Sequence, residues 1–432
     1  MLKTLQNAFK VKDVRHRIFY VLMMLVVIRI GSQLPVPGVD GSYFKTWFES
    51  QTGDAFNFLD AFTGGSFSQM SIFALSITPY ITSSIIIQLL TIAIPKLEEM
   101  QRDGEDGRKK LGAITRYVTI GLSLFESIAM AIGFGNKGLI PDNSFVKMVV
   151  VVVALTAGSA FLMWVGEQIN EKGVGNGISI VLLINIVSRI PSDMTTLYES
   201  FMKGKIIAKA LLSGVIIAAI IVGVVILVII LNGAERRIPV QYSQKVSGRK
   251  TFGGQSTNIP LKVNTAGVMP VIFASSLMQF PVIIAQLFGK SYEWTRYLSS
   301  SYWCRISAPK YSIGLILYIV LLIIFAYFYT SITFNPIEVA DNLKKAGGVI
   351  PGITPGKSTS DYLNNILNYI VFVGAVGLLI IALIPIMCTG FFNASVSFGG
   401  TSVIIIVGVV LETLKQIESQ MVNRYYKGFL SE

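Results

Sequence analysis

The chain has 432 residues, of which 52% are hydrophobic and only 14% charged. Soluble domains carry about 25% charged residues, so this composition excludes an ordinary water-soluble enzyme and calls for a lipid-embedded fold. The net charge of +12 is carried in segments between apolar runs, which favours anionic headgroups or a soluble partner over a nucleic-acid-binding domain.

A bilayer core takes about 20 apolar residues in helix. In chain order, the first such span is 18–34, preceded by a basic run that includes the single histidine, His16. No small-residue cleavage site follows it. The sequence continues Gln33-Leu34-Pro35-Val36-Pro37-Gly38, so it is expected to stay as a first helix rather than act as a signal peptide. Residues 55–71 hold Phe58, Phe62 and Phe67 around Gly64-Gly65. They are apolar but too short to cross, and the glycine pair weakens any helix. A re-entrant piece and an exposed amphipathic loop both fit. Spans follow at 74–94, 113–133, 145–165, a short one at 176–190, and 206–231. After a basic loop at 232–264 come 266–288 and 311–333. A second cytosolic loop at 334–363 precedes 364–385 and 395–412. The count is ten.

Orientation follows from the Lys and Arg in alternate loops. With the N-terminus inside, inner segments hold 23 and outer ones 10, so both termini are predicted cytoplasmic. The 232–264 loop contributes Arg236, Arg237, Lys245, Arg249 and Lys250, and the 334–363 loop Lys344, Lys345 and Lys357. The first loop alternates apolar and polar residues and reads as an ordered hairpin. Its arginines and aromatics suit a large partner such as ribosomal RNA, or lipid headgroups.

The second and seventh spans share a pattern. Pro79 is followed by Ser83-Ser84 and Gln88, and Pro270 by Ser275-Ser276 and Gln279. Five spans per half place the halves in opposite orientation, an inverted repeat whose functional cavity lies between them. The expected fold is all-α and polytopic, with halves at 1–200 and 201–432. Thr82, Ser83, Ser84, Gln88, Ser275, Ser276 and Gln279 make a polar seam between the two helices, and interhelical hydrogen bonds of about 0.6 kcal/mol would let it part. Ionisable groups within spans, which mark ion-coupled transport, are nearly confined to Arg29 and Glu126. Cys304 and Cys388 have no metal or redox spacing. No catalytic, zinc or phosphate-binding motif is present, so neither an enzyme nor a cofactor is expected. An inverted-repeat secondary transporter is the second reading.

Arg236-Arg237-Ile238-Pro239-Val240-Gln241-Tyr242, Gly253-Gly254-Gln255-Ser256, Gly175-Asn176-Gly177-Ile178-Ser179, Phe334-Asn335-Pro336 and Gly399-Gly400-Thr401-Ser402 carry a resemblance. Together with matches in the same order from about residue 15 to 429, they make the chain similar to the SecY family, the channel subunits of Sec protein translocases. That resemblance implies a central pore between the halves, closed by an aliphatic ring of Ile77, Ile81, Leu182, Ile272 and Ile405, with Leu182 replacing the more usual isoleucine. It implies a plug at 55–71 and a lateral gate between spans two and seven, with Thr82 and Phe280 facing each other. It implies SecE, SecG, the SecA ATPase, the ribosome, signal sequences and nascent polypeptides as partners, in a bacterial plasma membrane. One departure stands out: the family's arginine in the later loop's Pro-Gly-Ile-Arg-Pro-Gly turn is Thr354 here.

Overall fold

The computed structural model describes all residues except 1–7, 51–59, 61, 136–143, 202–206, 243–244, 248–249, 253–255, 288–292, 300–301, 305–308, 393–399 and 429–432. Its first half contains α1 (Lys12–Gly31), α2 (Gly41–Ser50), α3 (Thr78–Ala93), α4 (Pro95–Arg102), α5 (Gly104–Gly135), α6 (Phe145–Lys172) and α7 (Gly177–Phe201). The second begins with α8 (Ile207–Gly233). Strands β1 (Glu235–Tyr242), β2 (Lys245–Ser247), β3 (Lys250–Phe252) and β4 (Ser256–Lys262) follow. Then come α9 (Met269–Leu287), α10 (Glu293–Leu298), α11 (Ile313–Thr333), α12 (Pro336–Lys345), β5 (Gly348–Val349), α13 (Lys357–Phe392) and α14 (Gly400–Gly428).

Each of the ten apolar segments falls on a helix: α1, α3, α5 to α9, α11, α13 and α14. Among the described residues, six helical runs are long and apolar enough to cross a membrane alone: α5, α6, Gly177–Thr195, Gly214–Gly233, Pro309–Lys345 and Lys357–Cys388. The bent pair α3–α4 is a seventh candidate, with an angle of 107°. That bend is local chemistry. Pro95 disfavours helical backbone at the residue before it, and Ile94 is extended at φ −115°, ψ 109°. The other three, α1, α9 and α14, are seated among spanning helices: α1 on α6, α9 on α11, and α14 on α7, α8 and α13. In Gly214–Gly233 of α8, mean hydropathy reaches 3.5 while only 11% is buried. Such a surface calls for lipid or another apolar surface against it.

The fifth span is longer than its sequence suggests. Helix α7 continues through Pro191 to Phe201, as membrane helices can when neighbouring groups take up the freed backbone. Its start is capped by Asn176, whose Oδ1 accepts from Ile178 and Ser179 backbone N–H groups at 3.1 and 3.4 Å. Asn170 Oδ1 accepts from Gly177 N, and Gln416 of α14 from Gly175 N. The Gly175-to-Ser179 motif is therefore a packing joint between α6, α7 and α14.

The 232–264 loop is an antiparallel hairpin, with β1 paired to β4 from Glu235↔Lys262 to Gln241↔Ser256. Ile238 and Val240 are buried while the residue between them is exposed, the period of a half-buried strand. The sheet gains a third strand that the sequence did not announce. Val349 and Gly348 of β5 pair with Gln241 and Tyr242 of β1, so the two basic loops form one body. Its core is Ile238, Val240, Leu261, Leu343, Ile350, Leu363 and Ile370. Pro239 is tolerated because β5 reaches only the end of β1, leaving an edge beside the proline.

Helices of residues 1–200 and of residues 201–432 pack on one another, α1 on α14 among them. Helix α7 packs on α14 and α8, and α9 packs on α3 and α5. Within the first half, a Cβ on Gly177 would lie 1.9 Å from the Gly166 carbonyl oxygen, backbone that cannot swing aside. Gly177→Ala is expected to cost about 1–3 kcal/mol by overpacking, measured as a lower unfolding midpoint in detergent. An unchanged midpoint would contradict the contact.

Candidate functional site

Five aliphatic side chains of the expected ring stand on or beside four helices. Ile77 precedes the first turn of α3 and Ile81 lies one turn further. Leu182, Ile272 and Ile405 come from α7, α9 and α14. All five are buried in a single apolar cluster. Phe62, from the segment between α2 and α3, is buried in the same cluster.

The described part of that segment, Asp60 and residues 62–71, is tied to the rest of the fold. Val36 N donates to the Met70 carbonyl at 3.0 Å and Ile72 N to the Leu34 carbonyl at 2.9 Å, so its far end runs antiparallel to residues 34–36. Phe67 is buried in a second cluster with Phe44, Phe48 and Phe134, and the Phe44 and Phe134 rings meet edge-on at 5.0 Å. For its described residues the segment is therefore an inserted element and not an exposed amphipathic loop. Phe58 lies outside the described residues. Gly64 sits at φ +67°, and a Cβ there would come within 2.7 Å of the Asn185 carbonyl oxygen, so glycine is required twice over. Gly65 at φ +85° has open space instead.

Polar groups on α7 and α1 hold this segment. Asn185 Nδ2 donates to the Phe62 carbonyl at 3.3 Å and to Ser76 Oγ at 3.0 Å. Ser188 Oγ and Arg29 Nη1 each reach the Gly64 carbonyl at 3.4 Å. Asp60 accepts from Ser68 N at 2.8 Å and is ion-paired with Arg189. Arg189 also contacts Asp193 of its own helix at 3.5 Å. Arg29 thus bears on the inserted segment. Asp60, Asn185, Ser188 and Asp193 were missed by sequence reasoning. Arg189 and Asp193 carry a signal at i, i+4, hidden because the span was ended at 190.

The hydroxyls of Thr82 and Ser83 and the amide of Gln88 on α3 bond within their own helix. Thr82 and Ser83 donate to the Thr78 and Pro79 carbonyls of their own helix at 3.1 and 2.7 Å, and Gln88 to Ser84 Oγ at 3.3 Å. Among the described residues no hydrogen bond joins α3 to α9. A hydroxyl that satisfies itself on the preceding turn has no need of a partner across the seam. Ser275 and Gln279 are buried, Ser276 and Phe280 partly so. The Oε1 atoms of Gln88 and Gln279 are buried without a partner. Helix α5 also lines the seam, which the repeat pattern did not reveal.

On the two-loop body, Arg236, Arg237, Lys344, Lys345 and Lys357 are all exposed. Asn335 caps α12 through Ile337 N and Glu338 N, and Lys344 and Lys345 stand in the last turn of that helix. Lys245 and Lys250 lie on the β2–β3 hairpin, and Arg249 lies outside the described residues. Thr354 is exposed, and its carbonyl accepts from Thr359 Oγ1 at 2.9 Å.

The SecY family model matches residues 71–414. The chain belongs to the SecY family. It is 43% identical to the protein translocase subunit SecY of Halalkalibacterium halodurans and to that of Bacillus subtilis, with all of each chain covered. A solved protein-conducting channel, 17% identical, covers 94% of this chain and 93% of its own at a TM-score of 0.63. Sec61 in the canine ribosome–channel complex from the endoplasmic reticulum, 17% identical, covers 94% and 93% at 0.61. At these identities the solved structures show a shared fold, the helical channel architecture of the SecY family.

An amide oxygen buried without a partner costs about 1–3 kcal/mol. Gln279→Leu is therefore expected to raise the unfolding midpoint, whereas Ser83→Ala should leave it nearly unchanged. Thermal unfolding in one detergent measures both, and a large loss for Gln279→Leu would mean that its amide is satisfied in the folded protein.

Proposed function

We propose that this chain is the channel subunit of a Sec protein translocase, a passive pore that passes secretory polypeptides across the membrane and releases apolar segments sideways into lipid. The observation that carries the reading is the burial of Ile77, Ile81, Leu182, Ile272 and Ile405, from four helices, within one large apolar cluster. Flexible aliphatic side chains can close around a chain of any sequence without a specific bond to it. An apolar constriction also holds back ions by dewetting, with no charge needed. Family membership over the whole chain supports the same reading, and nothing favours a secondary transporter.

In this reading, Phe62, Gly64, Gly65 and Phe67 belong to the plug, with Phe58 in its adjoining sequence. The seam of α9 with α3 and α5 is the lateral gate, lined by Thr82, Ser83, Gln88, Ser275, Ser276, Gln279 and Phe280. A signal sequence, itself an apolar helix, opens the seam by its own burial there, which is a shift of population. The pore carries out no bond chemistry, so a partner drives the chain: SecA or a ribosome, with SecE and SecG as the small subunits. Ribosome docking draws support from the canine Sec61 complex. The exposed basic residues Arg236, Arg237, Lys344, Lys345 and Lys357, with Lys245, Arg249 and Lys250 of the same loops, form the docking face. Both termini face the cytoplasm of a bacterium, and halves 1–200 and 201–432 part around the pore.

The test places one cysteine at Ile272 and another in a stalled secretory substrate, after removal of Cys304 and Cys388. The chain is reconstituted with its small subunits and motor. Crosslinking is expected at Ile272 and not at Ile226, an exposed residue on the lipid-facing α8. Crosslinks at none of the five ring positions, while substrate still crosses, would refute the pore assignment. For the docking face, reversing Arg236 and Arg237 to Glu is expected to weaken ribosome binding. The slope of log affinity against log salt should become shallower by about 0.7–0.9 for each phosphate that is no longer neutralised, read by co-sedimentation across salt concentrations. An unchanged slope would place docking elsewhere.

A further inference from the structure

The plug is seated by charge as well as by shape, and the charges sit on both sides of a joint that must separate. Asp60 belongs to the inserted segment, while Arg189 and Asp193 stand one turn apart on α7. The side chains of Asp60, Arg189 and Asp193 are 5%, 16% and 10% exposed, so none is a solvated surface charge. Arg189 contacts both carboxylates at once, Asp60 through Nη1 and Asp193 through Nε. A guanidinium can do this because its donors point in fixed, divergent directions.

We propose that Arg189 is an exchange latch on the plug: paired with Asp60 it holds the pore shut, and when the plug leaves it keeps Asp193 as its partner. The second carboxylate solves a problem that a simple ion pair would create. Removing one partner from a buried pair leaves an uncompensated charge, which is strongly unfavourable. With Asp193 held on the same helix, the vacated seat retains a neutral pair, so withdrawal of Asp60 carries no such penalty on α7. Asp60 itself moves toward water and is solvated there. The other contacts of the seat, Asn185 with Phe62, and Ser188 and Arg29 with Gly64, position the segment but make no such exchange.

The inference rests on reading the inserted segment as the plug. It predicts opposite effects from two carboxylates that touch the same arginine. Asp60→Asn keeps the Oδ1 that accepts from Ser68 N and removes only the charge. It is expected to raise the resting ion conductance of the reconstituted channel about tenfold, equivalent to about 1.4 kcal/mol. Asp193→Asn makes Asp60 the sole counter-charge. It is expected to leave resting conductance low and to reduce opening by a signal-bearing substrate by a similar factor. In an Arg189→Gln background, Asp60→Asn should add nothing further. The measurement is planar-bilayer conductance of the complex with its small subunits, with and without substrate, on variants whose unfolding midpoints match the parent. Changes of the same direction in both Asp variants, or no change in either, would overturn the latch. If the unmodified complex passes no polypeptide at all, the channel reading fails instead, which separates the two.

Discussion

Backbone that is not helical cannot stand at membrane depth unless protein satisfies its N–H and C=O groups. The segment before α3 is largely non-helical and buried among helices, and much of the surrounding architecture satisfies its backbone. Its far end pairs with residues 34–36, which fixes α1 against the start of α3. Its middle is met by α7 side chains, because Asn185 and Ser188 lie one turn apart on the face turned toward it. Gly64 permits the close approach of the two backbones. Helix α7 must run on past Pro191, or Asp193 would have no fixed relation to Arg189.

The two sides of this site obey different physics. The aliphatic cluster of α3, α7, α9 and α14 is held by non-directional burial, which can be given up and regained around objects of any shape. The seam of α9 with α3 and α5 is similar, since the hydroxyls of Thr82 and Ser83 are already satisfied on their own helix and parting the helices breaks none of those bonds. The seat of the inserted segment is the reverse. Its contacts are directional and in part ionic, so they fix the segment in one position.

The two basic loops, far apart in sequence, act as one body through the pairing of β5 with β1. That body packs Leu363 and Ile370 of α13 into its core and is joined by the chain to α8 and α9. Asn264 Nδ2 donates to Asn232 Oδ1 at 2.7 Å, closing the base of the hairpin. The exposed arginines and lysines therefore stand on one packed body joined to α9, and not on two separate loops.

The resemblance to the SecY family, and no local pattern, pointed to the five aliphatic residues of the cluster, whereas the sequence by itself determined the ten apolar runs and the hairpin at 232–264. These are written in local patterns: apolar runs of membrane length, strand alternation around Ile238 and Val240, and motif residues such as Asn176 and Asn335 that cap the helices they begin. It left the fifth span short, because Pro191 reads as an end when only the local chain is considered. Only the tertiary structure decided that Thr82 and Ser83 turn back on their own helix, that α5 shares the seam, that β5 joins β1, and that Asp60 meets Arg189 across 129 residues of chain. A hydrogen bond or ion pair between distant segments depends on how helices are seated against one another, and that seating is set by packing over the whole molecule, with no period or spacing in the chain to record it.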